Sequence, residues 1–196
     1  LLIDSLPVPD VVMGAFDEKT DELISDLMID SLSMFETQGV RFTVIPCNTA
    51  HRQIETLRGA TRCEILDMVE MVVDRVAADA HVSVGLLSTR ATIQSGLYET
   101  LFGARGAKVL LPTDETIDAL GRLILRIIGG GDVSDSQEIL QCAITELTVE
   151  QGATAVVIGC TDLSIVLDEL LDNPVIYDST EVCAENTAAK LWNISR

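Results

Sequence analysis

Two cysteines stand in matching settings more than half the chain apart. Phe42-Thr-Val-Ile-Pro-Cys47-Asn48-Thr49 and Ala155-Val-Val-Ile-Gly-Cys160-Thr161-Asp162 share one plan: an apolar run, one Pro or Gly, a Cys, a small hydroxyl residue close behind, then a helix. A short apolar run of this kind reads as a strand buried on both faces of a parallel sheet. A Cys at its carboxyl end lies where α/β sheets bind ligands. It also meets the first turn of the following helix, whose unpaired N–H groups and dipole favour an anion. Each thiol is therefore expected to have a lowered pKa and to exist partly as thiolate. One such Cys alone could be a nucleophile, a redox thiol or a small buried hydrophobe. Two of them, facing each other across a cleft, can take a proton from one face of a carbon and return one to the opposite face, which inverts the stereocentre. Side chains of Asn48, Thr49 and Thr161, with the helix-start N–H groups, could bind a substrate carboxylate and the charge that develops beside it. Cys63, Cys142 and Cys183 lack this setting and are read as packing residues.

Positioning these residues requires alternating strands and helices. Strands are predicted at 1–4, 41–46, 63–66, 81–87, 107–111, 153–159 and 174–177. Helical spacing of apolar residues predicts helices at 21–38, 67–80, 92–102, 114–128, 134–151, 162–171 and 179–193. The alternation implies an α/β fold with right-handed crossovers. The echo between the two cysteine segments implies two similar lobes, each with a mostly parallel sheet flanked by helices and the site in the cleft between them. The expected division is 1–80 plus 175–196 for the first lobe and 81–174 for the second. Gly129-Gly130-Gly131 follows a helix rather than a strand, so it reads as a helix–helix loop and not as a phosphate cradle.

Composition narrows the function. The chain has 196 residues and a formal net charge of -18, from 13 Lys+Arg against 31 Asp+Glu. Such a surface repels phosphate backbones and anionic membranes, so neither nucleic acid nor membrane is an expected partner. Aromatic residues are 4%, too few for base-stacking platforms. No apolar run approaches the ~20 residues a membrane span needs. There is no basic-then-apolar leader. Five cysteines without a CxxC pair read as reduced thiols of a cytoplasmic protein. Lys19, Lys108 and Lys190 are the only lysines, and none sits beside a plausible ligand loop, so a pyridoxal phosphate Schiff base has no good candidate. His51 and His81 are isolated, which leaves no metal-ligand cluster. The expected cofactor is none. His81 is read as a surface residue. His51, four residues after Cys47, falls on nearly the same helix face, where it could tune that thiol or serve the core. The chain opens at Leu1 inside an apolar run, as though a strand were already under way, which predicts an N-terminally incomplete chain.

Four segments occur in order: Val44-Ile-Pro-Cys47-Asn48-Thr49-Ala50-His51, Gly85-Leu-Leu-Ser-Thr89-Arg-Ala-Thr92-Ile-Gln-Ser95-Gly96-Leu-Tyr98, Val157-Ile-Gly-Cys160-Thr161-Asp162-Leu163 and Tyr177-Asp178-Ser179-Thr180-Glu181. Together they closely resemble the aspartate/glutamate racemase superfamily, in particular its aspartate racemase branch, over essentially the whole chain. The resemblance implies a cofactor-independent amino-acid racemase of two α/β lobes, usually a homodimer, acting on a small amino acid. The catalytic cysteines of the family would fall on Cys47 and Cys160, and its substrate-binding residues on Asn48, Thr49, Thr92 and Thr161. Apart from the resemblance, His51 and Asp162 are the candidates for tuning the thiols, with a core or helix-cap role the alternative for His51. Hydantoin racemases and maleate isomerases of the same superfamily also use two cysteines. A non-catalytic or truncated member that binds a small carboxylate is the alternative.

Three departures from the family pattern carry expectations. Residues 1–10 match the family's second strand and turn, so the first strand is absent, which predicts a less stable, association-prone chain with impaired activity. Val11 and Val12 stand where dicarboxylate-specific relatives carry a basic residue, and 129–132 holds no second one. A buried side-chain carboxylate without a cation is costly, so a broader or more apolar substrate range is expected unless Arg52, Arg90 or another arginine substitutes. Cys183 takes the place of a His that often follows Ser-Thr-Glu-x near the C-terminus.

Overall fold

A computed structural model describes residues 1–6, 18–167 and 175–194. In chain order the elements are α1 (Glu18–Thr37), β1 (Phe42–Val44), a 3-10 turn (Thr49–Gln53), α2 (Ile54–Ala60), β2 (Glu64–Leu66), α3 (Met68–Ala78), β3 (Ser83–Ser88), α4 (Arg90–Gln94), α5 (Leu97–Ala104), β4 (Lys108–Leu110), α6 (Asp114–Ile128), α7 (Ser136–Thr145), a π turn (Glu146–Glu150), β5 (Ala155–Gly159), α8 (Thr161–Ser164), β6 (Ile176–Asp178) and α9 (Ser179–Ile194). This is the α/β alternation expected.

The strands form two parallel sheets. β1 pairs with β2, and a four-stranded sheet runs β4-β3-β5-β6. Every residue of β3 and β5 is buried, as continuous apolar runs demand of central parallel strands. Their side chains alternate between two cores. Val84, Leu86, Ala155 and Val157 pack with α3, α5 and α9 on one face. Leu87, Val156 and Ile158 pack with α6 and α7 on the other. A third cluster, Ile24, Met28, Leu32, Ile54, Leu57 and Ile65, joins α1 and α2 to the small sheet. β6 hydrogen-bonds to β5, and α9 packs on α3.

Several expected elements take a different form. Residues 1–6 contain no strand, and Leu1 and Ile3 are exposed. Asp4 and Leu6 line a cavity of about 330 Å³ together with Val44, Ile45 and α1 side chains, rather than joining a ladder with β1. The helix expected at 92–102 is two, because Gly96 adopts φ +65° between α4 and α5. The helix expected at 134–151 widens into the π turn, which seats buried Leu147 over Gly85. The helix expected at 162–171 has four residues within the described chain, and 168–171 lie outside it. Cys142 is exposed on α7 and is not a packing residue, whereas Cys63 and Cys183 are buried. Among the described residues, no helix is long and apolar enough to cross a membrane.

Candidate active site

β3 is followed by β4 on one side and β5 on the other, so the chain reverses its direction of travel across the sheet between β3 and β5. Ligands bind at such a switch point, beyond the carboxyl ends of the strands. Ser88 ends β3 and its hydroxyl donates to the Gly159 carbonyl, which ties the two strand ends together. Thr89 and Cys160 follow immediately on either strand.

Cys47 comes from the other sheet, three residues beyond β1. It is solvent-accessible, whereas Cys160 is 5% exposed. The two thiols are close enough that ionised Cys47 raises Cys160. The structure reverses the thiol shifts expected from the sequence. Although the Cys47 residue reaches solvent, the protein atoms crowded around its thiol desolvate it and push it up, which outweighs the Ala50 and Thr49 N–H groups that favour thiolate; the Asp162 carboxylate adds to the rise. Burial, then Asp162, pushes Cys160 up to about 12 against the Asp162 and Leu163 N–H groups. The Cys160 thiol points at the Asp162 carboxylate, Sγ to Oδ2 3.7 Å. Helix-start N–H groups are present as expected, but a short turn of them does not overcome desolvation and a carboxylate.

The residues after Cys47 each reach across to elements of the larger sheet. Asn48 is 2% exposed. Its Nδ2 donates to Ser179 Oγ at 2.9 Å, and its Oδ1 accepts from Tyr98 OH at 2.7 Å. Thr49 Oγ1 lies 2.9 Å from Thr92 Oγ1 and 3.1 Å from Thr89 Oγ1, and Thr89 donates to Thr92 at 3.0 Å. The three hydroxyls form a closed ring at the amino end of α4, where Thr89 also caps Thr92 N–H. Thr92 is wholly buried, whereas Thr49 and Thr89 are both half-buried. Thr161 and Asp162 are half-buried in the first turn of α8. His51 Nδ1 lies 2.8 Å from the Cys47 carbonyl and does not touch the thiol.

Tyr98, Ser179 and Thr89 carry these contacts, yet the sequence assigned them no role. Their pairing depends on residues 40 to 131 positions away. The segment around Ser179 is braced in turn: Asp178 Oδ1 accepts from Ser164 at 2.7 Å and from Thr180 N–H at 2.8 Å. Arg52 is paired with Asp21 at 2.9 Å, and Arg90 with Asp114 and Asp118, each at 2.8 Å. Both arginines are thus already engaged by carboxylates of the chain. Among the described residues no group of three or more His, Cys, Asp or Glu is placed to hold a metal ion.

Residues 1–187 match the Asp/Glu/hydantoin racemase family. A broad specificity amino-acid racemase, RacX, of Bacillus subtilis is 30% identical over 189 residues, covering 96% of this chain and 80% of the relative. A glutamate racemase of Picosynechococcus is 27% identical over 185 residues, 89% of this chain but 62% of the relative's length. Among solved structures, an aspartate racemase homologue from Pyrococcus horikoshii superposes with a TM-score of 0.73 at 19% identity, over 87% of this chain and 75% of the other. Picrophilus torridus aspartate racemase gives 0.67 at 20% identity, over 91% and 73%. These structures share the fold of parallel sheets flanked by helices.

Proposed function

The chain belongs to the Asp/Glu/hydantoin racemase family, and on that premise we propose that it racemises amino acids without a cofactor, as a cytoplasmic homodimer, with Cys47 and Cys160 as paired base and acid. Membership places it among the amino-acid racemases, a class of isomerase. One observation carries the two-cysteine reading: two thiols from different sheets, both at carboxyl ends of parallel strands, lie within electrostatic reach of each other and of Asp162. In one direction the Cys47 thiolate takes the α-proton and becomes a thiol. The Cys160 thiol then gives its proton to the opposite face and becomes a thiolate. The reverse direction exchanges the roles.

Both thiols are held high at rest, so substrate must help to ionise one of them. The α-ammonium supplies that help by pairing with Asp162, whose carboxylate is the common charge raising both. Thr49, backed by Thr92, and Thr161 offer hydroxyls to the α-carboxylate. Asn48 holds the loop through Tyr98 and Ser179. With Arg52 and Arg90 engaged by aspartates, neutral amino acids are the expected substrates. The division into lobes of 1–80 with 175–196 and of 81–174 remains part of this proposal.

α-Proton loss in heavy water, followed by NMR over a panel of L- and D-amino acids, tests the reading. Neutral residues should exchange, and Cys47→Ser and Cys160→Ser should each reduce exchange to background. Retention of turnover by either variant overturns the two-base reading, and much faster exchange of aspartate overturns the neutral range. A second reading, carboxylate binding without turnover, is favoured by the raised pKa of both thiols. It predicts no exchange, with binding that survives at least one of the two substitutions.

A further inference from the structure

His51 is 1% exposed, and both of its ring nitrogens are engaged. Nδ1 lies 2.8 Å from the Cys47 carbonyl oxygen. Nε2 lies 3.2 Å from the Met68 backbone nitrogen, which donates to it. A carbonyl only accepts and a backbone N–H only donates, so these two bonds fix the tautomer. Nδ1 carries the proton and gives it to Cys47; Nε2 is the bare acceptor for Met68. A second proton on Nε2 would oppose the Met68 N–H and the positive end of α3.

The charged groups around the ring agree with a neutral form. Asp67 Oδ1 is 3.8 Å from Nε2 and would favour a cation, but that oxygen already accepts from Val69 and Glu70 N–H groups at 3.0 Å. Its other oxygen accepts from Arg58, which also reaches Glu70. Burial holds the ring below its ordinary pKa, with the Arg58 guanidinium helping and Asp67, the Cys47 carbonyl and Glu70 opposing.

The two ends of this contact belong to different parts of the fold. Cys47 sits on a loop after a three-residue strand of the small sheet. α3 contributes Met68, Val69, Val72, Val73 and Val76, all 0% exposed, to the core beneath β3 and β5, and β5 carries Cys160 at its end. We propose that His51, as the neutral Nδ1–H tautomer, is a positioning residue that clamps the Cys47 main chain to the amino end of α3 and so sets where the Cys47 thiol stands relative to Cys160. The proposal rests on the racemase reading for its consequence in turnover, but its geometry is testable without turnover.

Long-range ¹H–¹⁵N spectra of the ¹⁵N-histidine-labelled full chain read the tautomer directly. One protonated and one bare ring nitrogen, with the proton on Nδ1 at pH 7, is expected; the Nε2–H tautomer or an imidazolium at pH 7 overturns the clamp. Three substitutions read its consequence. In His51→Asn the amide N–H stands in for Nδ1–H, in His51→Gln the amide oxygen stands in for Nε2 only, and His51→Ala supplies neither. Displacement of a reacting group by about 1 Å costs on the order of a hundredfold in rate. His51→Ala and His51→Gln should therefore lose roughly 10- to 100-fold in kcat with KM within about twofold, and His51→Asn should recover most of that loss. Iodoacetamide alkylation of accessible Cys47 should change in the same order across the three variants. Equal kcat in His51→Ala and the unsubstituted chain, or equal behaviour of the Asn and Gln variants, overturns the proposal. If no amino acid is turned over, the ring spectrum and the alkylation series still decide it, while the racemase reading fails separately. If the variants do not fold, the spectrum of the unsubstituted chain decides alone.

Discussion

Removing one oxygen atom, in Tyr98→Phe, isolates the bond that anchors the loop behind Cys47. The Tyr98 side chain is 0% exposed and its ring stacks on Phe102 at 6.2 Å, so the Phe variant keeps the packing. What it removes is the 2.7 Å donation to Asn48 Oδ1. The Asn48 amide is 2% exposed and cannot turn to water, because its Nδ2 is held by Ser179. The acceptor is therefore left buried and unpaired, at a cost of about 1–3 kcal/mol. A chain of 196 residues loses roughly 2–4 °C of Tm per kcal/mol, so a fall of about 2–12 °C is expected. Differential scanning fluorimetry measures it. A Tm within about 1 °C of the unsubstituted chain would show that Asn48 Oδ1 is not desolvated, and the picture of Asn48 as a buried brace would be wrong. Ser179→Ala should give a similar loss. The Tyr98→Phe/Ser179→Ala double variant should not be additive, because both bonds end on one amide.

Asp162→Asn removes the carboxylate that raises both thiols, so Cys47 and Cys160 should both ionise at lower pH. Iodoacetamide alkylation of Cys47 against pH should then shift its midpoint downward, and an unmoved midpoint would exclude Asp162 as the shared charge. Gly85→Ala places a Cβ 2.8 Å from Leu147 Cδ1 and 3.1 Å from Leu147 Cβ, against a side chain that is wholly buried. Overpacking of this kind costs about 1–3 kcal/mol, read as a lower urea midpoint; an unchanged midpoint would mean that the π turn yields freely.

The parts of the fold legible in the sequence are those set by local chemistry. α6 covers Asp114–Ile128, the span its apolar spacing marked, because Thr113 caps Thr116 N–H, two acids open the first turn and Gly129 closes the helix. β3 and β5 were legible as nearly continuous apolar runs. The placement of Cys47 and Cys160 beyond strand ends was legible for the same reason: each follows such a run. What the sequence concealed is set by partners far along the chain. Nothing local distinguishes Tyr98 from an ordinary core aromatic until Asn48 is seen beside it. The thiol shifts failed differently. The N–H groups were foreseen, but their opponents, burial and the reach of the Asp162 carboxylate to Cys47, are three-dimensional quantities.

Cys47 poses a mechanical difficulty that Cys160 does not. Cys160 directly follows a five-residue strand hydrogen-bonded on both sides. Cys47 follows three residues of a two-stranded sheet, an arrangement that is marginal by itself. On the proposed two-base reading, proton transfer to opposite faces of one carbon demands that the two thiols keep a fixed separation. The three residues that supply this constraint lie within four positions of Cys47, and each ends on a different helix region of the larger unit. Asn48 reaches α5 and α9, Thr49 the amino end of α4, and His51 the amino end of α3. Three anchors in different directions fix a short segment in position and orientation, which one anchor cannot do. On that reading the segment Asn48-Thr49-Ala50-His51 is the means by which a weakly supported strand presents its cysteine to a strongly supported one.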